Sequence, residues 1–118
     1  MRFFSFTKTD RLLKSREYLE LLRFGDRVHN RHFVAIFSPG RFERTRLGVS
    51  VKKKVGHAAT RNRIKRFSRE YFRLNRHNIT GHWDINIIAK EEAAYLSSGQ
   101  AFLSLQDIFG RISGSHDN

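Results

Sequence analysis

With 118 residues, 39% of them hydrophobic, the chain holds material for one modest core, and a single domain over 1–118 is expected. Its 23 Lys plus Arg against 11 Asp plus Glu leave a formal charge of +12, an excess that asks for a polyanionic partner. The absence of cysteine excludes a disulfide framework and thiolate metal ligation, and fits a reducing compartment.

The opening MRFFSF is too short for the apolar region of a signal peptide and runs at once into Lys8, Asp10 and Arg11. No apolar run approaches the roughly 20 residues that cross a bilayer, so the chain reads as soluble. Residues 1–9 are expected to be flexible. Ser15 ahead of REYLELLRF and Gly25 after it predict a first helix over about 15–24, with serine as N-cap and glycine at the C-terminus. Tyr18, Leu21 and Leu22 share one face of that helix, which packing alone would explain. RHFVAIFSPG and TRLGVSVKK, separated by a polar loop around Ser38–Thr45 with the only proline, predict a hairpin, and VHN just before them a short edge strand. HWDINIIAK gives a strand at about 83–89. SSGQAFLSLQDIFGRI gives a closing helix capped by Ser97 or Ser98, whose residues Ala101, Phe102, Leu105, Ile108, Phe109 and Ile112 form one apolar arc. The tail at 113–118 is expected to be flexible.

Most of the charge sits between Lys52 and Arg76, where ten basic residues face only Glu70. Within it, TRNRIKRFSREYFR reads as a two-faced helix. At about 100° per residue, Ile64, Phe67, Tyr71 and Leu74 form a buried stripe. Arg61, Asn62, Lys65, Arg66, Arg69, Arg73 and Arg76 take the opposite arc, with Arg63 near the edge of the apolar one. A merely solvated face mixes signs to gain i,i+4 pairs, and here only Arg66 with Glu70 offers one. Crowding Arg61, Lys65 and Arg69 at successive i+4 positions therefore points to a compensating anion. Arginine's planar fork suits phosphate oxygens. Phe72 falls on the cationic side, where it could stack on a base or cover a neighbouring loop. Gly56, in KKKVGHAAT, allows a tight turn ahead of the helix N-terminus, a weak phosphate-loop signal on its own.

Three other readings compete. An anionic membrane could attract the charge, although membrane-surface helices carry a large apolar face. A nuclease could use His29, His32, His57, His77 or His82, but none falls at recognisable ligand or acid–base spacing, and the basic window is almost devoid of carboxylates for Mg²⁺. A structural RNA-binding protein of ribosomal type would share the charge and the partner.

The segment SVKKKVGHAATRNRIKRFSREYFR resembles the signature of the bacterial ribonuclease P protein component. The resemblance extends over DRLLKSREYLELLRFGDRV, RHFVAIF, RLGVSV and DINIIAK, about residues 10–112. It implies an α+β fold, a single-domain α-β-β-β-α-β-α sandwich with a central sheet and a left-handed crossover through the arginine-rich helix (ribosomal protein S5 domain 2-like). Patterning alone would have favoured the right-handed hand. For function it implies the protein subunit of a ribonucleoprotein that removes the 5′ leader from precursor tRNA, an endonuclease whose RNA subunit performs the hydrolysis with Mg²⁺ held mainly by RNA and substrate. No catalytic or metal-ligating residue is implied on this chain. Arg61, Asn62, Arg63, Lys65, Arg66 and Arg69 would bind the RNA subunit. Tyr18, Leu22, Ile36, Lys53, Lys54 and Lys90 would line a cleft for the single-stranded leader, with an aromatic as stacking platform. Tyr18 stands where the family usually has phenylalanine, Leu22 where an aromatic is common, and Ile36 where some members have one. The implied partners are ribonuclease P RNA and precursor tRNA, with no membrane and no small-molecule ligand, in the cytoplasm.

Overall fold

The computed structural model describes residues 10–12, 14–40 and 42–116. In chain order these form α1 (Ser15–Phe24), β1 (Asp26–His29), β2 (Phe33–Pro39), β3 (Arg46–Ser50), α2 (Ala58–Asn75), β4 (Trp83–Ala89) and α3 (Ser98–His116). Short 3-10 turns lie at Lys53–Val55, Arg76–Asn78 and Glu91–Tyr95. The fold is the α+β arrangement that the resemblance implied: one four-stranded sheet and three helices. The four strands lie in the order β1-β2-β4-β3, with β1, β2 and β4 antiparallel and β3 parallel to β4.

The hairpin expected of β2 and β3 does not form. β4 lies between them, and the short antiparallel connection is instead the one from β1 to β2 through Asn30–His32. Turn residues report only that the chain reverses nearby. The inner place goes to β4, whose Ile85, Ile87 and Ile88 give it apolar groups on both faces. A parallel β3–β4 pair then needs a crossover, which α2 supplies.

Alternation splits the sheet cleanly. Phe33, Ala35, Phe37, Leu47, Ile85, Ile87 and Ala89 join a core with Ile64, Tyr71 and Phe72 of α2 and Leu105, Ile108, Phe109 and Ile112 of α3. Tyr71 stacks on Phe109 at 5.5 Å and meets Phe102 edge-on at 5.6 Å. On the other face, α1 covers a smaller cluster of Leu12, Leu21 and Ile36.

The buried arc of α2 is rotated from the expected one: Ile64, Ser68, Tyr71 and Phe72 are inside, Phe67 is half-buried and Leu74 is exposed. Ser68 is admitted because its Oγ donates to Ile64 O at 2.9 Å, which satisfies the hydroxyl inside the helix. Phe72 is fully buried beside Phe109, so it offers no base-stacking surface.

Helix ends also differ in detail. Ser15 is the first helical residue of α1, not its cap; the Glu17 carboxylate instead accepts the Lys14 N–H at 3.1 Å. Gly25 has extended backbone, and the glycine is required by close approach: a Cβ there would lie 2.6 Å from Leu21 O and 2.8 Å from Ile36 Cγ2. For α3, Ser97 is the cap, its Oγ accepting the Gln100 N–H while Gln100 Oε1 accepts the Ser97 N–H. That helix continues to His116, past the boundary expected at 112, whereas residues 1–9 fall outside the described part.

Candidate nucleic-acid interface

α2 begins after Gly56 and His57 and projects its basic side chains away from the two-helix core. Asn62 and Arg66 are exposed, while Arg61, Lys65 and Arg69 are half-buried along their stems. Among the described residues, no carboxylate forms an ion pair with Arg61, Lys65, Arg66 or Arg69. The predicted Arg66–Glu70 pair is replaced by Arg73–Glu70, one turn closer to the helix end, and that contact holds the Glu70 carboxyl below its usual range. Arg66 instead lies over the Phe67 ring, 5.7 Å from its centroid. Arg76 reaches the buried Asp10 at 2.6 Å and leaves the cationic row.

Arg63, set by the helix wheel near the edge of the apolar arc, is engaged within the fold, unlike the RNA contact that the resemblance implied for it. Its Nη2 donates to Ala94 O, its Cζ lies 5.9 Å from the Phe67 centroid, and its buried Nε has no partner. The side chain ties α2 to the Glu91–Tyr95 turn, and it does not share the outward face with Arg66.

The second candidate surface is the sheet face beneath α1. Tyr18 donates its hydroxyl to Leu12 O at 3.0 Å and rests its ring on Gly48 of β3, where a Cβ would fall 2.5 Å from that hydroxyl. Burial pushes the Tyr18 hydroxyl pKa up, and the positive charge of Arg69 acts against it, so the cationic helix is felt at the edge of this face. Leu22, one turn further along α1, is 53% exposed. Ile36 is 1% exposed and sealed with Leu12 and Leu21, so it supports the face from below without presenting surface to a ligand.

The accessible floor is the next register row, Val34, Ile88 and Ser50, with Val34 and Ile88 half-buried. Sequence reasoning missed these residues. Strand alternation was the signal that could have found them, since Val34 and Ile88 fall on the parity opposite to the core-facing Phe33 and Ile87. Lys90 continues that parity, and its Nζ donates to Asn30 O at 2.6 Å. Asn30 in turn holds the β1–β2 turn on α3, its Nδ2 donating to Ser104 O at 2.9 Å and to Asp107 Oδ2 at 3.1 Å. Lys53 and Lys54 are exposed on the 3-10 turn after β3, and Lys54 lines a separate groove with Arg31, Glu91 and Tyr95. The six predicted cleft residues therefore split between the floor beneath α1 and the end of the sheet.

At the other end of the α1 face, Arg46 donates from Nε and Nη2 to the two Asp84 carboxylate oxygens at 3.0 and 2.9 Å, and Nη2 also lies 2.8 Å from Glu17 Oε2. The Asp84 hydrogen bonds hold the Arg46 pKa above its ordinary value, against the opposing effect of burial.

The histidines are dispersed. His29 is on β1, His57 precedes α2, His32 places Nδ1 3.0 Å from Ser104 Oγ, and His77 and His82 border a groove with Asp10 and Glu43. Among the described residues no three His, Asp or Glu side chains converge in a metal-binding arrangement, and no helix is long and apolar enough to cross a membrane. In the His32–Ser104 contact, Ser104 Oγ also accepts a hydrogen bond from Asn30 Nδ2 at 3.1 Å, so the pair belongs to the anchoring of the β1–β2 turn on α3, while the cations of α2 and the ring of Tyr18 are groups suited to phosphate and to stacking.

The family model described as Ribonuclease P matches residues 6–113. The chain is 50% identical over 113 residues to the "Ribonuclease P protein component" of Desulfosudis oleivorans, covering 96% of this chain and 93% of that one. It is 49% identical to the protein of that name from Desulfatibacillum aliphaticivorans, covering 96% of each. Among solved structures, the RNase P protein of Staphylococcus aureus superposes with a TM-score of 0.82 at 32% identity, covering 88% of this chain and 95% of that one. The Thermotoga maritima RNase P protein, in complex with 1-(4-fluorophenyl)-2-thiourea, gives a TM-score of 0.82 at 31% identity, covering 86% and 99%. The unpaired cations of α2, the sheet face under α1 and these matches converge: the chain belongs to the ribonuclease P protein family, and is the protein subunit of that ribonucleoprotein endoribonuclease, with the ribonuclease P RNA as its partner.

Proposed function

We propose that α2 docks on the RNA subunit through Arg61, Asn62, Lys65, Arg66 and Arg69, and that the sheet face beneath α1 holds the single-stranded 5′ leader of precursor tRNA. The observation that carries this reading is the row of α2 cations without acidic partners among the described residues, set at the edge of a face where the hydroxyl end of the Tyr18 ring abuts Gly48 of β3. Phosphate supplies the missing counter-charge, and its release of bound counterions drives association. Tyr18 offers a stacking surface, Val34 and Ile88 an apolar floor, and Lys90 a cation fixed by Asn30. Arg63 serves the docking helix indirectly, by fixing it to the turn that contains Ala94.

Hydrolysis belongs in this reading to the RNA subunit, with Mg²⁺ that polarises the phosphate and activates water when bound there. Among the described residues, the carboxylates beside the α1 face do not fit such an ion. Asp10 is engaged by Arg76, and Glu17 and Asp84 by Arg46, so these carboxylates already neutralise guanidinium groups. The protein's work is to lower repulsion between two RNAs and to grip the leader, in the cytoplasm where precursor tRNA is made.

Reconstitution tests the proposal. The chain combined with ribonuclease P RNA should restore 5′ maturation of precursor tRNA at moderate Mg²⁺, and higher salt should partly replace it by screening. Cleavage by the chain without RNA, or recovery of ribosomal RNA as its bound partner, would overturn the reading.

A further inference from the structure

α1 meets β3 at two consecutive side chains. Glu17 reaches Arg46 and Tyr18 lies on Gly48, and residues 46 and 48 share one sheet face because they are two apart in a strand. Arg46 is held within the sheet independently of α1: its partner Asp84 is its neighbour across the β3–β4 ladder, and the two-pronged hydrogen bond locks the plane of the guanidinium. The remaining reach of Nη2 is filled by Glu17 at 2.8 Å, and the Phe42 ring covers the group with its centroid 4.7 Å from Cζ. Side-chain exposures of 11% for Arg46, 14% for Asp84 and 20% for Glu17 make this an ion cluster that salt screens weakly. Such clusters add little net stability compared with apolar packing, but they admit few geometries.

We infer that Arg46, held by Asp84, is the positioning residue that sets the register of α1 on the sheet and so aims Tyr18 at the leader, giving preference for precursor over mature tRNA. The inference rests on the proposed leader-binding role of Tyr18. Gly48 is the second half of the device, because a Cβ there would fall 2.5 Å from the Tyr18 hydroxyl and 2.7 Å from its ring, so only the absence of a side chain lets Tyr18 approach β3 this closely.

The test is a double-mutant cycle in the reconstituted complex, measuring the affinity for precursor tRNA, for mature tRNA and for the RNA subunit. Arg46→Met should weaken precursor binding by roughly the 5- to 150-fold that one lost stacking platform is worth, with the other two affinities unchanged. In a Tyr18→Ala background the same substitution should cost nothing further, since a residue that acts through Tyr18 has nothing left to aim. Gly48→Ala should give the same pattern by lifting the ring with the ion cluster intact, and it carries the test if Arg46→Met fails to fold. Equal weakening of precursor and mature tRNA, or a full additive loss in the Tyr18→Ala background, would overturn the inference while leaving the leader surface in place. No effect of Tyr18→Ala alone would remove both.

Discussion

Arg63 Nη2 donates to the main-chain oxygen of Ala94, whereas its neighbour Arg61, whose Nε is also buried, has no hydrogen-bond partner for that atom among the described residues.

Removing Arg63 should first be felt in stability. Arg63→Ala leaves the Ala94 carbonyl without its donor and loosens α2 from the Glu91–Tyr95 turn, a cost of about 1–3 kcal/mol. Urea unfolding should show the midpoint falling, with the salt dependence of RNA-subunit binding nearly unchanged. A stable variant with a shallower salt slope would place Arg63 on phosphate instead.

Arg66→Ala and Arg69→Ala should behave in the opposite way. Neither has an acidic partner among the described residues, so thermal stability should hold within about 0.5 kcal/mol of wild type. Each should lower the magnitude of the slope of log affinity against log salt by about 0.7–0.9 for the phosphate contact it gives up. Slopes that do not move would shift the docking surface off α2.

Tyr18 separates ring from hydroxyl. Tyr18→Phe loses only the hydrogen bond to Leu12 O, so stability should fall by about 0.5–1.5 kcal/mol while precursor tRNA binding persists. Tyr18→Ala should also weaken precursor binding, by about 1–3 kcal/mol, with mature tRNA unaffected. Equal weakening of both tRNAs would make Tyr18 a packing residue alone.

Alkaline titration checks the burial of two tyrosines. Burial raises the pKa of Tyr18 and of Tyr71, although Arg69 opposes it at Tyr18. As pH rises the unfolded chain therefore loses these protons first. The stabilisation is complete below the ordinary tyrosine value of 10.0 and is lost as pH climbs through the higher folded values. Tyrosinate absorbance should show a component that appears only with unfolding, reduced in Tyr18→Phe and in Tyr71→Phe. Ionisation of all tyrosines in a folded protein near pH 10 would contradict the burial.

Local signals were legible wherever the chain's own period and chemistry decide the outcome. The limits of α1 and β4, the apolar arc of α3, the cationic row of α2 and the ribonuclease P motif could all be read from residue order. What the sequence could not decide were relations between segments far apart in it. Composition placed β2 and β3 as a hairpin, but the insertion of β4 between them depends on which strand must bury both faces, a comparison across the whole sheet. The rotation that buries Ser68 and Phe72 and exposes Leu74 depends on where Phe109 and the sheet press on α2. The helix wheel set Arg63 apart from Arg61 and Arg66, near the edge of the apolar arc, but could not say what it would meet there. Its partner is the Ala94 carbonyl, 31 residues further on. Likewise Ile36 read as a cleft residue until α1 covered it, and Val34 and Ile88 became the floor because the sheet's register set them in one row beside it. Side-chain type is a property of the sequence, but exposure and partner are properties of packing, where distant segments compete for the same surface.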